Sequence, residues 1–238
     1  MAGLSLATGA ARAPLKVRAN DLYETPVPAV SALLAVEPLP HRIWEPACGC
    51  GAIVGVLRRA CRHVIATDLV GWGCPDSTAR LDFLMTRRAP PGVEAICTNP
   101  PFKNADDFVR HALTLNVAKV VMLLRLAFLE SERRADILDG GQLARVHLFR
   151  KRLPFMHRHG YDGPKNSSSA MPFAWFVWEH DYDGPITLNR IDWPAVDGEI
   201  VVDLRTGPDE RRYARIKAGG KAETPDGLPL FAPREAAE

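Results

Sequence analysis

The segment Asn99-Pro100-Pro101-Phe102 has the residue types needed to position and polarise an amino group. It follows an apolar run at residues 93–98 that is typical of a buried strand. Two successive prolines fix φ, remove two N–H donors and force an extended loop that is rich in hydrogen-bond acceptors. The Asn99 side-chain oxygen and the Pro100 carbonyl can accept both hydrogens of one amino group, which directs the nitrogen lone pair toward an incoming methyl group. Phe102 can stack on the ring that bears this group, and the alternative interpretation is a plain turn after a strand.

A second set of residues has the order of a nucleotide-binding site. The glycine motif, Glu45-Pro46-Ala47-Cys48-Gly49-Cys50-Gly51, follows the first apolar run, and its glycines allow backbone N–H groups to approach a ligand closely. Asp68 ends the next run about 17 residues later, the spacing at which an acid holds ribose hydroxyls. Asp82-Phe83 follows in a loop, where the carboxylate can accept from an adenine amino group and the ring can pack on the base. A nicotinamide cofactor is disfavoured because Val54 stands where the third glycine of its motif would be.

Each of these features also has an ordinary structural interpretation. The glycine motif can be a strand-to-helix turn, Asp68 a surface acid and Asp82 a helix cap. Their order on successive strands favours a ligand site instead, because ligands of open α/β sheets bind at the carboxyl ends of the strands.

The elements that position these residues follow from the alternation of short apolar runs with helical segments after His41. The strand candidates are residues 42–44, 63–67, 93–98, 117–124, 145–149 and 173–178. The helix candidates are residues 26–34, 52–59, 105–115 and 131–138, with Thr25, Asn104 and Ser131 as expected N-caps. This alternation predicts βαβ units and a mainly parallel sheet.

The residues quoted above carry a family resemblance. The glycine motif resembles the cofactor-binding motif of class I S-adenosylmethionine-dependent methyltransferases, and Asn99-Pro100-Pro101-Phe102 resembles the (N/D)-P-P-(F/Y/W) signature of members that methylate amino groups. Tyr23-Glu24-Thr25-Pro26 occupies the place of an upstream Thr-Pro segment, an order similar to that of γ-type and compact phage or prophage-type adenine-N6 DNA methyltransferases. The resemblance covers about residues 20–178. It implies a Rossmann-like α/β fold, with a mainly parallel seven-stranded sheet whose last strand is antiparallel, and methyl transfer to N6 of adenine.

The resemblance also implies a role for individual residues. Asn99, Pro100, Pro101 and Phe102 would form the catalytic loop. Thr25 and Glu45 would contact the methionine part of the S-adenosylmethionine cofactor, Asp68 its ribose, and Asp82 with Phe83 its adenine. The full set expected around the cofactor is Tyr23, Thr25, Pro26, Glu45, Pro46, Ala47, Cys48, Gly49, Gly51, Asp68, Leu69, Asp82, Phe83 and Asn99.

The segment at residues 145–170 is basic and contains interleaved aromatic residues, a composition typical of nucleic-acid grooves. Arg145 and His147 begin it, only Asp162 opposes its positive charge, and Phe149 is among its aromatics. Its candidates for nucleic-acid binding are Arg150, Lys151, Arg152, His157, Arg158, Lys165 and Asn166. The alternative is a solvated basic loop with core aromatics. Little sequence is left for a target-recognition domain, so we expect loose or short sequence recognition.

Several acceptors fit the signature. DNA is favoured over RNA as the partner, while adenine-N6 or guanine-N2 of RNA remains open. The side-chain amide of protein glutamine is disfavoured, because too little sequence precedes the glycine motif for the N-terminal helical recognition domain that such enzymes carry. A catalytically silent module that binds nucleic acid through a methyltransferase-like fold is the alternative from another class. The oligomeric state stays open.

The composition sets broader limits. The 238 residues and net charge of +2 suit one α/β domain, expected at residues 20–194, with a flexible leader at 1–19 and a largely flexible C-terminal extension at 195–238. No apolar run is long enough to cross a bilayer, so no membrane association is expected. Five cysteines without a secretory pattern predict reduced thiols in a bacterial or phage-encoded cytoplasmic protein. Cys48-Gly49-Cys50 lacks the spacing of a zinc-binding pair, so no metal is expected.

Overall fold

One mixed sheet of eight strands organises the part of the chain that the computed structural model describes, residues 22–153 and 171–192. The strand order is β3-β2-β1-β4-β5-β7-β6-β8. The strands are β1 (Arg42–Glu45), β2 (His63–Asp68), β3 (Thr78–Ala79), β4 (Ala95–Thr98), β5 (Lys119–Arg125), β6 (Leu143–Phe149), β7 (Phe173–Glu179) and β8 (Thr187–Ile191). The helices are α1 (Val27–Val36), α2 (Ala52–Arg59), α3 (Ala105–Thr114) and α4 (Ala135–Leu138).

The strand directions identify the fold. Strands β1 to β5 pair in parallel, and β7 is antiparallel to both of its neighbours, β5 and β6. An antiparallel strand inserted between β5 and β6 is the arrangement of the Rossmann-like class I methyltransferase fold, so the predicted fold class is confirmed. Strand β8 pairs in parallel with β6 and extends the sheet beyond the seven predicted strands.

Helices cover both faces of the sheet because their apolar residues recur at helical spacing. In α2, Ile53, Val54, Val56 and Leu57 are buried, while Arg59 in its last turn is exposed. Helices α1 and α2 pack on one face, where alternate residues of β5 such as Val121 and Leu123 contribute to the core. Helix α3 packs on the other face. The carboxyl ends of β1, β2, β4 and β5 are thereby held along one edge.

Some local expectations were wrong. None of the three predicted N-caps acts through its side chain. The N-cap of α1 is Pro26 instead of Thr25. Asn104 and Ser131 stand at N-cap positions, but their side chains make no cap hydrogen bond. The predicted helix at residues 131–138 divides into a 3-10 turn, Glu132–Arg134, followed by α4. The predicted leader, the C-terminal extension and most of the basic segment lie outside the described residues.

A buried ion cluster joins the end of α1 to the sheet. Glu37 accepts hydrogen bonds from Lys119 Nζ at 2.6 Å, Arg145 Nε at 2.8 Å and His147 Nε2 at 2.9 Å. Glu179 also pairs with Lys119 and Arg145. Burial alone would raise the pKa of Glu37, but the hydrogen bonds from His147, Arg145 and Lys119 outweigh it and lower the pKa to about 2.

The next two observations, on membrane-spanning helices and on metal sites, concern only residues 22–153 and 171–192. No helix there is both long and apolar enough to cross a membrane. No group of three or more His, Cys, Asp or Glu side chains there could hold a metal ion. All five cysteines are free thiols, and Cys61 alone among them is exposed.

Candidate active site

A cleft of about 280 Å³ lies at the carboxyl edge of the sheet, where Glu45, Asp68 and Thr98 end the adjacent strands β1, β2 and β4. The predicted residues that line it are Tyr23, Thr25, Glu45, Pro46, Ala47, Cys48, Gly49, Asp68, Leu69, Asp82, Phe83, Asn99 and Pro101. Four other predicted residues, Pro26, Gly51, Pro100 and Phe102, are not part of the lining. Segments far apart in sequence therefore converge on one cavity.

The glycine motif forms a tight turn between β1 and α2. Gly49 and Gly51 have φ values of +54° and +92°, in the left-handed region that favours glycine. A Cβ atom at Gly51 would lie 2.8 Å from the Sγ atom of Cys74. The backbone N–H of Gly49 donates to Oδ2 of Asp68 at 2.9 Å. Both φ values thus favour glycine, the space beside Gly51 is occupied by Cys74, and the turn is tied to the end of β2.

Asp68 is buried at the end of β2 and links two loops around the cleft. Its Oδ1 accepts from the backbone N–H of Val70 at 2.8 Å, and its Oδ2 accepts from Gly49. Burial raises the pKa of Asp68, and the hydrogen bonds from Val70, Gly49 and the Trp72 side chain oppose that shift. Trp72 also lines the cleft and was missed by sequence reasoning, although it follows the predicted ribose acid by four residues and is flanked by glycines.

Glu45 is fully buried at the inner end of the cleft. Its Oε1 accepts a hydrogen bond from the Thr98 hydroxyl, whereas Oε2 has no hydrogen-bond partner among the described residues. Burial raises the pKa of Glu45 well above its ordinary value, and the hydrogen bond from Thr98 opposes the shift. A buried carboxylate oxygen beside a cavity is suited to receive a cationic group such as an ammonium.

Asn99 lies at the point where β4 enters the predicted catalytic loop, residues 99–102. Its Nδ2 donates to the backbone carbonyl of Tyr23 at 3.1 Å, which holds the segment containing Thr25 against the loop. Pro100 is buried and Pro101 is extended, with φ −53° and ψ 126°. The two prolines therefore produce the extended loop that the sequence predicts.

Phe102 is partly buried among aromatic and cationic neighbours. Its ring centroid lies 4.7 Å from that of Tyr23 and 5.7 Å from that of Phe173. The Cζ atom of Arg125 lies 4.6 Å from the same centroid. The ring that the sequence assigns to substrate stacking is thus fixed by protein contacts on the side of β5 and β7.

Asp82 and Phe83 lie at the cleft in different environments. Asp82 is exposed, and its Oδ1 accepts from the backbone N–H of Leu84 at 3.0 Å as the cap of a 3-10 turn. Phe83 is buried, with ring centroids 5.2 Å from Trp44 and 4.9 Å from Phe108. Phe83 is thus largely a core residue that presents only a small surface to the cavity.

The described part of the basic segment is less available to a ligand than its sequence indicates. Arg145 and His147 belong to the ion cluster, and Phe149 is buried in the core. Arg150, Lys151 and Arg152 follow β6 at the same edge as the cleft, where Arg150 pairs with Asp192 at 2.9 Å. The predicted residues His157, Arg158, Lys165 and Asn166 lie outside the described residues.

No family model and no curated protein sequence matches this chain. Similar solved structures include a modification subunit assigned to a type I restriction enzyme from Vibrio vulnificus, with 14% identity, a TM-score of 0.48, and coverage of 75% of this chain and 48% of that chain. The chain thus spans about half the length of that subunit. The 23S rRNA methyltransferase ErmE has 15% identity and a TM-score of 0.43, covering 68% and 71%. The E. cuniculi complex that methylates the eRF1 termination factor has 16% identity and a TM-score of 0.46, covering 67% and 98%.

Proposed function

We propose that this protein transfers a methyl group from S-adenosylmethionine to an exocyclic amino group, most favourably N6 of adenine in DNA. The observation that carries the proposal is the convergence of the glycine motif, Asp68 and Asn99 on one cleft at the carboxyl edge of the sheet. The glycine motif and Asp68 are suited to bind a nucleoside with a cationic tail. Asn99 follows β4, the strand that pairs with β1.

The cavity has the features that the cofactor requires. The tight turn at Gly49, whose left-handed φ of +54° favours glycine, lines the cleft. The partnerless Oε2 of Glu45 matches the ammonium of a methionine moiety, and the Asp68 carboxylate matches ribose hydroxyls. When bound, the cofactor supplies a methyl group on a sulfonium centre.

The catalytic loop acts on the acceptor. The Asn99 side-chain oxygen and the Pro100 carbonyl accept the two hydrogens of the amino group and so direct its lone pair toward the methyl group. Positioning and hydrogen bonding account for the acceleration without a metal or a covalent enzyme intermediate. The buried thiol of Cys97, whose pKa burial raises well above its ordinary value, is assigned a structural role in β4.

The choice of nucleic acid as the substrate is supported by the basic residues Arg150, Lys151 and Arg152 at the same edge as the cleft. A duplex would have to release the target base from its stack, which costs a few kcal/mol and favours accessible or single-stranded sites. RNA adenine-N6, RNA guanine-N2 and protein glutamine are the competing acceptors.

The test is to incubate the protein with radiolabelled S-adenosylmethionine and separate pools of DNA, RNA and protein, followed by mass spectrometry of the labelled nucleoside or residue. We expect N6-methyladenine in DNA. The variant that tests the catalytic loop is Asn99→Ala, which should lose about 100-fold or more in turnover while still binding the cofactor. The matched control is Asn189→Ala, a variant at an exposed position on β8 that should retain activity. Undiminished activity of Asn99→Ala, or no cofactor binding by the wild-type protein, would contradict the proposal.

A further inference from the structure

Arg125 lies beside the catalytic loop but outside the cofactor cleft. It is the last residue of β5 and the first exposed one, after six buried residues. Strand β5 pairs with β4, whose end continues into Asn99, and Arg125 stands in register with Phe173 of β7. Its guanidinium lies over the ring of Phe102, with Cζ 4.6 Å from the centroid. Arg125 is exposed and is not among the cleft-lining residues, so its guanidinium lies beside the Asn99 loop and outside the cleft.

A comparison with Arg134 distinguishes this contact from a purely structural one. Arg134 also lies over a phenylalanine, with Cζ 4.4 Å from the Phe128 centroid. Two of its nitrogens also make internal contacts, since Nε pairs with Asp106 at 2.9 Å and Nη1 donates to the Phe128 carbonyl. Within residues 22–153 and 171–192, Arg125 has neither a carboxylate within 4.0 Å nor a hydrogen-bond acceptor.

We propose that Arg125 is a positioning residue that binds the backbone phosphate adjacent to the target nucleotide. The guanidinium presents N–H donors in a planar fork that matches phosphate geometry, and the Phe102 ring orients the fork in advance. A nucleotide that places its amino group at Asn99 must carry a phosphate nearby, while S-adenosylmethionine has none. The inference rests on the proposed function, and it assigns to Arg125 the task of holding the strand while the base enters.

Binding and kinetics test this assignment on a short fluorescein-labelled single strand with one adenine, made as DNA or RNA according to which pool the wild-type protein methylates. We expect Arg125→Ala to raise KM and Kd about tenfold with little change in kcat. The slope of log affinity against log salt should fall by about 0.7, the value for one phosphate contact on a single strand. Arg125→Lys should restore that slope, whereas Arg125→Gln should not. Arg59→Ala, an equal charge loss at the exposed far end of α2, is the control and should leave binding unchanged.

The decisive measurement replaces single phosphates of the strand with uncharged methylphosphonates. At the contacted phosphate, replacement should weaken binding by the wild-type protein about tenfold and leave the Kd of Arg125→Ala unchanged. Equal weakening of both proteins at every phosphate would overturn the role of Arg125 and would show that it merely packs on Phe102. That result in a protein that still methylates adenine leaves the proposed function intact. A wild-type protein that methylates neither DNA nor RNA would overturn both proposals.

Discussion

The Thr98 hydroxyl donates a hydrogen bond to Oε1 of Glu45, and both residues are fully buried at the last positions of neighbouring parallel strands. Thr98 directly precedes Asn99, and Glu45 directly precedes the rest of the glycine motif. One side-chain contact therefore joins the start of the proposed catalytic loop to the start of the glycine motif. Disturbing it should affect the two segments together.

Replacing Thr98 with valine keeps the side-chain volume but removes the donor. Glu45 would then lose its one side-chain hydrogen bond among the described residues, and the loss should lower the free energy of unfolding by about 1–3 kcal/mol. We also expect a higher KM for S-adenosylmethionine. Urea denaturation and cofactor titration measure the two effects, with Thr98→Ser, which retains the hydroxyl, as the control. Equal values for the valine and serine variants would show that the hydrogen bond does not connect the two segments.

Glu45→Gln should separate stability from cofactor binding. Because burial raises the pKa of Glu45 in the folded protein, its contribution to stability is fully present below the unfolded pKa near 4.5 and is lost as pH rises through the folded pKa. The glutamine variant lacks this loss, so its unfolding free energy should exceed that of the wild type increasingly as pH rises above about 4.5.

Glu45→Gln should weaken cofactor binding even though it raises the unfolding free energy above about pH 4.5. Glutamine cannot neutralise an ammonium, so we expect the Kd for S-adenosylmethionine to rise about tenfold or more. Calorimetric titration and urea denaturation over a pH series provide both readouts. A variant that is less stable than the wild type at every pH, or that binds the cofactor equally well, would contradict the assignment of Glu45 as a buried acid that binds the ammonium group of the cofactor.

Gly51→Ala should damage the cofactor turn for two separable reasons. The left-handed φ of +92° strains any other residue by about 1–2 kcal/mol, and the added Cβ would lie 2.8 Å from Cys74 Sγ. Gly73 has a similar φ of +87° with nothing within 4 Å of an added Cβ, so Gly73→Ala is the control for strain alone. We expect the Gly51 variant to lose more stability than the Gly73 variant and to bind the cofactor more weakly. Matching losses would show that the close approach to Cys74 has no energetic role.

The sequence predicts those elements whose burial leaves an apolar pattern. Helix α2 begins and ends at the predicted residues, 52 and 59, because its buried positions recur at helical spacing. Strands β3 and β8 leave no such pattern. Both residues of β3 and the first four of β8 are exposed, since these strands lie at the two edges of the sheet. Edge pairing is made by the backbone, which a side-chain pattern does not report.

For the candidate site, the sequence predicts the local motifs but not the contacts between residues that are far apart in the chain. Local motifs identify Asn99 and the glycine motif, because each works through neighbouring residues of the chain. The contact between Asn99 and Tyr23 spans 76 positions, and the bond from Lys119 to Glu37 spans 82. A count of charges along the segment that starts at Arg145 cannot include Glu37, which neutralises part of the positive charge of that segment in the folded protein.

Glu37 itself should control stability in acid. Its pKa is lowered to about 2, so the stability it contributes is present above the unfolded pKa near 4.5 and is lost as pH falls through the folded pKa. A shift of this size corresponds to about 3 kcal/mol. Urea denaturation between about pH 5 and pH 2 should therefore show a steep fall in the unfolding free energy of the wild-type protein.

Glu37→Gln should flatten that fall while lowering stability at neutral pH by about 3–5 kcal/mol, because Lys119 and Arg145 then keep only Glu179 as an acid partner and His147 loses its carboxylate partner. The exposed Glu130→Gln is the matched control and should keep the steep acid dependence. If the Glu37 variant lost stability in acid as steeply as the control, the dependence would have to arise from other carboxylates. Since Glu37 closes α1 and its partners lie on β5 and β6, the flattened profile would instead identify this cluster as the group that fixes α1 to the sheet.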